Sequence, residues 1–130
     1  MFTLEQVKEA HTRVKSGADF PHYVQELKAL GVTAYDHEVA DGRIIYRGAD
    51  DFRLEGDPKY PSVPIADTAQ TEALRQVLSV HQAGQTDYPT FCRQAAEAGV
   101  ERWTLDFSAM TCSYLDGAGN TLIVEAIPQG

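Results

Sequence analysis

The sequence predicts an α+β fold: two tandem helix-helix-strands repeats packed around a pseudo-twofold axis as one domain with an antiparallel sheet. Three observations lead there. The stretch "GADFPHYVQELKALGV", residues 17–32, is echoed by "GQTDYPTFCRQAAEAGV", residues 84–100. Asp19 and Asp87, Pro21 and Pro89, Gly31 and Gly99, Val32 and Val100, and Tyr46 and Tyr114 each stand 68 residues apart. In both halves an apolar spacing of three and four residues gives way to strict alternation, which puts helices before strands.

The first helix opens at "FTLEQV", where Thr3 and Gln6 form a capping box and Phe2 is placed to staple onto Val7. Leu4, Val7, Ala10, His11 and Val14 share one face, and Leu74, Val77, Leu78 and His81 repeat it. Gly17 and Gly84 are the expected stops. A second helix starts after Asp19 with Pro21 in its first turn, where a missing donor costs nothing, and its face is Phe20, Tyr23, Val24, Leu27 and Leu30. The twin face is Tyr88, Phe91, Cys92, Ala95 and Ala98. Gly31 and Gly99 end the pair.

Alternation follows, with Tyr35, His37 and Val39 inward and Asp36 and Glu38 outward. Trp103, Leu105 and Phe107 repeat the inward set, with Thr104 and Asp106 outward. "ADGR" supplies a hairpin turn at Asp41 and Gly42, then "IIYR" a strand and "DFRL" a short one. In the second half "SAM" replaces the Asp-Gly turn, so residues 103–115 read either as one long bent strand or as two, and "TLIVEAI" closes the chain as a strand.

The repeats span 2–54 and 66–127, and the connector 55–65 carries Pro58, Pro61 and Pro64, which disfavour helix interior and central strand alike. About 60 residues bury only roughly 60% of their unfolded surface. The halves are therefore expected to share a core, with 1–130 as a single domain.

Composition narrows the function classes. The 130 residues are 43% apolar and 23% charged, ordinary for a globular chain. Nineteen acidic against eleven basic side chains leave a net charge of −8 and no basic cluster, which argues against nucleic acid as partner. No apolar run approaches the roughly 20 residues that cross a bilayer, and "MFTLEQVKEA" lacks the regions of a signal peptide, so a cytoplasmic location is expected.

Candidate chemistry is sparse. Cys92 and Cys112 are the nucleophile candidates, with His81 and His11 as conceivable bases, yet both thiols fall on apolar faces where free cysteine acts as a small hydrophobe. "DHE" at 36–38 resembles a metal cluster only when read linearly, since alternation turns His37 away from Asp36 and Glu38, and no metal or other cofactor is expected. Glu38 and Asp106 occupy equivalent outward positions, and convergence at the axis would raise one carboxyl pKa. Tyr35, Tyr46, Trp103 and Tyr114 are candidate ligand-lining rings or core aromatics. "DGAGN" lacks the strand-to-helix context of a phosphate loop and reads as a turn.

The segment from Tyr88 to Asn120, above all "GVERW", "AMTC" and "YLDGAGN", together with "SGADFPHYVQELKALGV", resembles the domain-of-unknown-function family 1398. These are small bacterial proteins of uncharacterised function, many of which carry the label "phage envelope protein". The resemblance covers nearly the whole chain and implies this length, a single domain and a bacterial context. It brings no established chemistry to carry over.

The expected function is a non-enzymatic module that binds a small molecule or a protein where its halves meet. One alternative is a small enzyme using Cys112 or the Glu38 and Asp106 pair, with Trp103 and Tyr114 shaping its pocket. Another is an interaction protein that self-associates through an open sheet edge. Monomer and homo-oligomer are equally compatible with the sequence.

Overall fold

A computed structural model of the chain describes residues 2–14 and 19–127, apart from the side chains of Phe20 and Tyr88. The helix stop expected at Gly17 and the aromatic match of Phe20 with Tyr88 lie outside the described residues. Within them the order is α1 (Leu4–His11), α2 (Phe20–Leu30), β1 (Val32–Glu38), β2 (Ile44–Gly48), β3 (Arg53–Glu55), α3 (Thr71–Gln82), α4 (Tyr88–Glu97), β4 (Arg102–Asp106), β5 (Thr111–Leu115) and β6 (Thr121–Ala126). The strands form one antiparallel sheet ordered β3-β2-β1-β4-β5-β6.

Local chemistry explains the helix ends. At α1 the Gln6 amide donates to Thr3 Oγ1 at 3.2 Å while the Thr3 amide donates to Gln6 Oε1 at 2.8 Å, a reciprocal cap. The helix stops at His11, short of the expected Val14. Thr12 Oγ1 donates back to the Glu9 carbonyl at 2.6 Å, and the next amides close tighter turns onto Ala10 and His11. His11 is consequently exposed, with its ring edge-on to Tyr23, rather than facing the core as its spacing suggests. At α4 the Asp87 carboxylate accepts from the Thr90 amide at 2.9 Å.

The sheet has one covered and one open face. Tyr35, Val39, Tyr46, Trp103, Leu105, Phe107 and Tyr114 join Val7, Leu27, Leu74, Leu78, Phe91 and Ala95 in one core cluster, so all four helices lie against the same side. The stretch 103–115 is two strands and not one bent strand. Asp106 Oδ1 accepts from the Ser108 and Ala109 amides at 2.9 and 3.1 Å, and Met110 takes a φ of 55°, so "SAM" turns by side-chain capping where the other half uses Asp-Gly.

The connector straps the end of the core nearest the β1–β2 turn. Lys59 and Val63 amides donate to the Asp41 and Ala40 carbonyls at 2.8 and 2.7 Å, and the Ala66 and Gln70 amides to Ala96 and Ala98 at 3.0 and 2.9 Å. Two glycines let it approach. A Cβ on Gly42 would sit 2.7 Å from the Tyr60 ring, and one on Gly99 would sit 2.6 Å from Ala69 Cα. Both also have positive φ, 77° and 90°, so each serves as turn and as contact.

On the open face the central pair of β1 and β4 is Asp36 opposite Thr104. Although it points away from the helices, Asp36 is only 6% exposed. Its Oδ1 accepts from Thr104 Oγ1 at 2.8 Å, and its Oδ2 from Arg47 Nε at 3.2 Å. Ile45, the register partner of Asp36 on β2, is equally buried. The outward Asp36 is thus a hydrogen-bonded carboxylate roofed by its neighbours. Among the described residues no helix is long and apolar enough to cross a membrane.

Substituting Thr104→Val keeps the β-branched shape but strips Asp36 of a donor. The expected loss is about 1–2 kcal/mol in urea unfolding followed by Trp103 fluorescence, and an unchanged midpoint would show that Asp36 is fully served by water and Arg47.

Candidate functional site

The sequence-predicted aromatic residues are all in the core. Tyr35, Tyr46, Trp103 and Tyr114 are 5–6% exposed and touch one another or their neighbours: Tyr35 to Tyr46 at 5.7 Å, Tyr35 to Phe107 at 5.9 Å, Trp103 to Tyr114 at 6.0 Å between ring centroids. Where β1 meets β4 the covered side is filled, since His37 stacks on Trp103 at 4.1 Å with planes 2° apart.

Glu38 and Asp106 do not meet. β1 and β4 pair Glu38 with Arg102 and Asp106 with Ala34, which puts the carboxylates at opposite ends of the ladder, roughly 13 Å apart along it. Glu38 is bridged by Arg102 at 3.2 Å, while Asp106 caps its own turn. The Glu38 pKa is raised, first by burial, with Arg102 opposing and Asp36 among the charges that add to it. Asp106 is not the cause.

The two cysteines have different surroundings from those the sequence suggests. Cys92 is 1% exposed, and its Sγ lies 3.8 Å from Nε2 of His37, itself 1% exposed. The nearby imidazole is therefore His37 and neither His81 nor His11. His81 instead stacks on Phe91 at 4.2 Å and places Nδ1 3.1 Å from Thr86 Oγ1. Burial pushes His37 down to about 3, so it is neutral at ordinary pH. Tyr60 adds to this lining from the connector, its hydroxyl donating to the Val39 carbonyl at 2.6 Å. A sulfur and an imidazole so enclosed are part of the packed interior. Alternation holds for "DHE", and among the described residues no group of His, Cys, Asp and Glu is arranged to hold a metal ion.

Cys112 lies toward the β6 edge, where the covered side of the sheet is least complete. Burial pushes its thiol up to about 12, the Glu125 charge adding and the Tyr114 hydroxyl opposing, so it is a protonated thiol at neutral pH. Its register partner is Glu125, and that of Tyr114 is Ile123. Ile123 and Glu125 line a groove of about 320 Å³ between α3 and β6, with Arg75, Leu78, Ser79 and Gln82 opposite. The half-buried Glu125 carboxylate is held there. Tyr114 Oη donates to its Oε1 at 3.1 Å, and Gln82 Nε2 lies 3.1 Å from both oxygens. A wider groove of about 410 Å³ runs between α3 and α4 past Gln76, Val77, Val80, Gln94 and Glu97, where among the described residues no side-chain hydrogen bond orients Glu97 as Tyr114 and Gln82 orient Glu125.

Of the candidate site residues, Tyr114 reaches this groove through its bond to Glu125 and Cys112 is the ladder partner of Glu125, and neither lines it. Its members other than Leu78 were missed, although two signals point to them. Alternation in "TLIVEA" turns Glu125 to the same face as Ile123, a charge aimed at the helices. On α3, Arg75, Leu78, Ser79 and Gln82 recur at i, i+3, i+4 and i+7.

Two outcomes follow from the sulfurs and the imidazole. His37 takes a proton below about 6.5 in the unfolded chain but only near 3 in the folded one, so its contribution to stability is complete above pH 6.5 and declines as pH falls toward 3. From pH 7.5 to 5 the expected loss is about 2 kcal/mol. Urea unfolding of the wild type and of His37→Gln at both pH values checks it, and an equal loss in the variant would assign the effect elsewhere. Thiol labelling at pH 7 is expected to proceed at Cys92 only as fast as the native structure opens, while the partly exposed Cys112 is expected to react directly but more slowly than a free cysteine because its proton is retained. A Cys112 that reacts like free cysteine would contradict its raised pKa.

No curated protein matches the chain. Residues 8–126 match the family described as "Protein of unknown function (DUF1398)", in agreement with the resemblance carried by "GVERW", "AMTC" and "YLDGAGN". With 8–126 of its 130 residues matched, the chain belongs to this family of proteins of unknown function.

Proposed function

We propose that the chain is a non-enzymatic, cytoplasmic small-molecule binding module of one domain, formed by tandem repeats 2–54 and 66–127 around a pseudo-twofold axis. The register of the central strands supports the duplication. The repeat offset of 68 relates Asp36 to Thr104, and these two stand opposite one another in the β1–β4 ladder, as equivalent residues must where a twofold crosses an antiparallel pair. The strand order β3-β2-β1-β4-β5-β6 likewise reads the same from either end when the halves are exchanged.

The observation that carries the binding reading is the half-buried Glu125 carboxylate, oriented by Tyr114 and Gln82 on the wall of the α3–β6 groove. Fixed polar groups beside aliphatic surface are what small-molecule sites require, and the volume lies at the small end of the usual range of about 300–1,000 Å³. In the first half the residue bonded to Ile44, the counterpart of Cys112, is Gly56, so no carboxylate stands where Glu125 does and the halves differ here. Against catalysis stand the protonated Cys112, the enclosed Cys92 and His37, and the separated Glu38 and Asp106.

A ¹⁵N-labelled sample titrated with a library of polar fragments tests this. Shifts are expected to concentrate in 71–82 and 111–126, with every fragment recovered unchanged. Shifts scattered over α1 and α2, or a fragment converted to product, would overturn the reading.

A further inference from the structure

The α3–β6 groove is electrically polarised along its length. Arg75, Leu78, Ser79 and Gln82 form a stripe on α3, and the seven-position separation of Arg75 and Gln82 advances about 10 Å along the helix axis. The Gln82 end is the Glu125 end, since that amide contacts both carboxylate oxygens. Arg75 marks the other end. Between them Leu78 and Ile123 present aliphatic surface and Ser79 a hydroxyl.

Both charges have capacity to spare. A carboxylate offers about four acceptor positions. Glu125 Oε1 receives Tyr114 and Gln82, whereas Oε2 receives Gln82 alone among the described hydrogen bonds. Arg75 is tied at 3.3 Å to Glu72, whose side chain is 87% exposed, an ion pair that water weakens and a ligand anion can replace. Arg75 and Glu125 line one groove without bridging each other, which leaves room for a ligand that bridges both.

The geometry points to a short, extended zwitterion as the ligand, a di- or tripeptide with its ammonium on Glu125, its carboxylate on Arg75 and an aliphatic side chain against Leu78 and Ile123. This assignment rests on the binding-module reading and names its ligand class. Length selects it. Extended chain advances about 3.3–3.6 Å per residue, so two or three residues span roughly 7–10 Å, whereas a single amino acid holds both charges on one carbon. The bidentate geometry of guanidinium with carboxylate, and the match of ammonium to a carboxylate lone pair, supply direction as well as attraction.

The test titrates the full ¹⁵N-labelled chain with Ala-Leu, Ala-Ala-Leu, their N-acetylated and C-amidated forms, and free leucine. Both free peptides are expected to shift amides of α3 and β6. Either cap, or either of Glu125→Gln and Arg75→Gln, is expected to weaken binding about tenfold or more, and free leucine to bind more weakly than the peptides. Arg75→Gln changes a side chain 60% exposed and keeps the result readable should Glu125→Gln disturb the fold. Equal binding of capped and free peptides overturns the zwitterion. Silence from every peptide, with polar fragments still shifting the same amides, overturns the peptide class and leaves the binding reading standing. Silence from both removes the two together.

Discussion

Everything in this fold hangs on the antiparallel pairing of β1 with β4. Without it the chain would hold two three-stranded sheets, each with a pair of helices and half a core. The ladder is reinforced on both sides at neighbouring positions. On the covered side the rings of His37 and Trp103 stack at 4.1 Å, and on the open side Thr104 donates to Asp36 at 2.8 Å. Two buried polar groups at a seam are costly unless satisfied: Asp36 takes its donor from Thr104 on the opposite strand, so its satisfaction depends on correct register, while His37 meets Cys92 of α4. A slip of one residue would turn Asp36 into the core or Trp103 to solvent.

The filled seam determines where a ligand can go. With Trp103, Tyr35 and Phe107 packed at the centre, and the connector sealing the β1–β2 end through Tyr60, the remaining concave surface lies at the periphery of the helical layer. There β6 forms the sheet edge, and α3 covers its inner face only in part. The same arrangement sets the surroundings of the two sulfurs. Cys92 is sealed beneath the connector, while Cys112 is partly buried opposite Glu125 with its proton retained.

Much of the fold is legible because its signals are local. Thr3 and Gln6 announce a cap, Pro21 and Pro89 mark first turns, and the glycines at 31, 84 and 99 take the left-handed angles of helix ends, 105°, 78° and 90°. The site was less legible, for a physical reason. Glu125 reads as an exposed charge on a terminal strand, and Gln82 as one of many polar helix residues. Their contact joins positions 43 residues apart, and no local pattern encodes it. The alternation points instead to Glu38 and Asp106 as matching outward positions, but the ladder sets them two positions to either side of the Asp36–Thr104 pair, at its opposite ends.

By itself the sequence determined the helix-helix-strands grammar of each half and the inward and outward alternation of its strands, since both are set by periodicity and by turn chemistry within a few residues. Only the tertiary structure decided which strands became neighbours. That choice buried an outward-facing Asp36, put His37 and not His81 beside Cys92, and left Glu125 on an incompletely covered edge. Strand pairing is a long-range event, chosen by how much apolar surface and how many polar partners the whole chain can satisfy at once, and no window of sequence contains that sum.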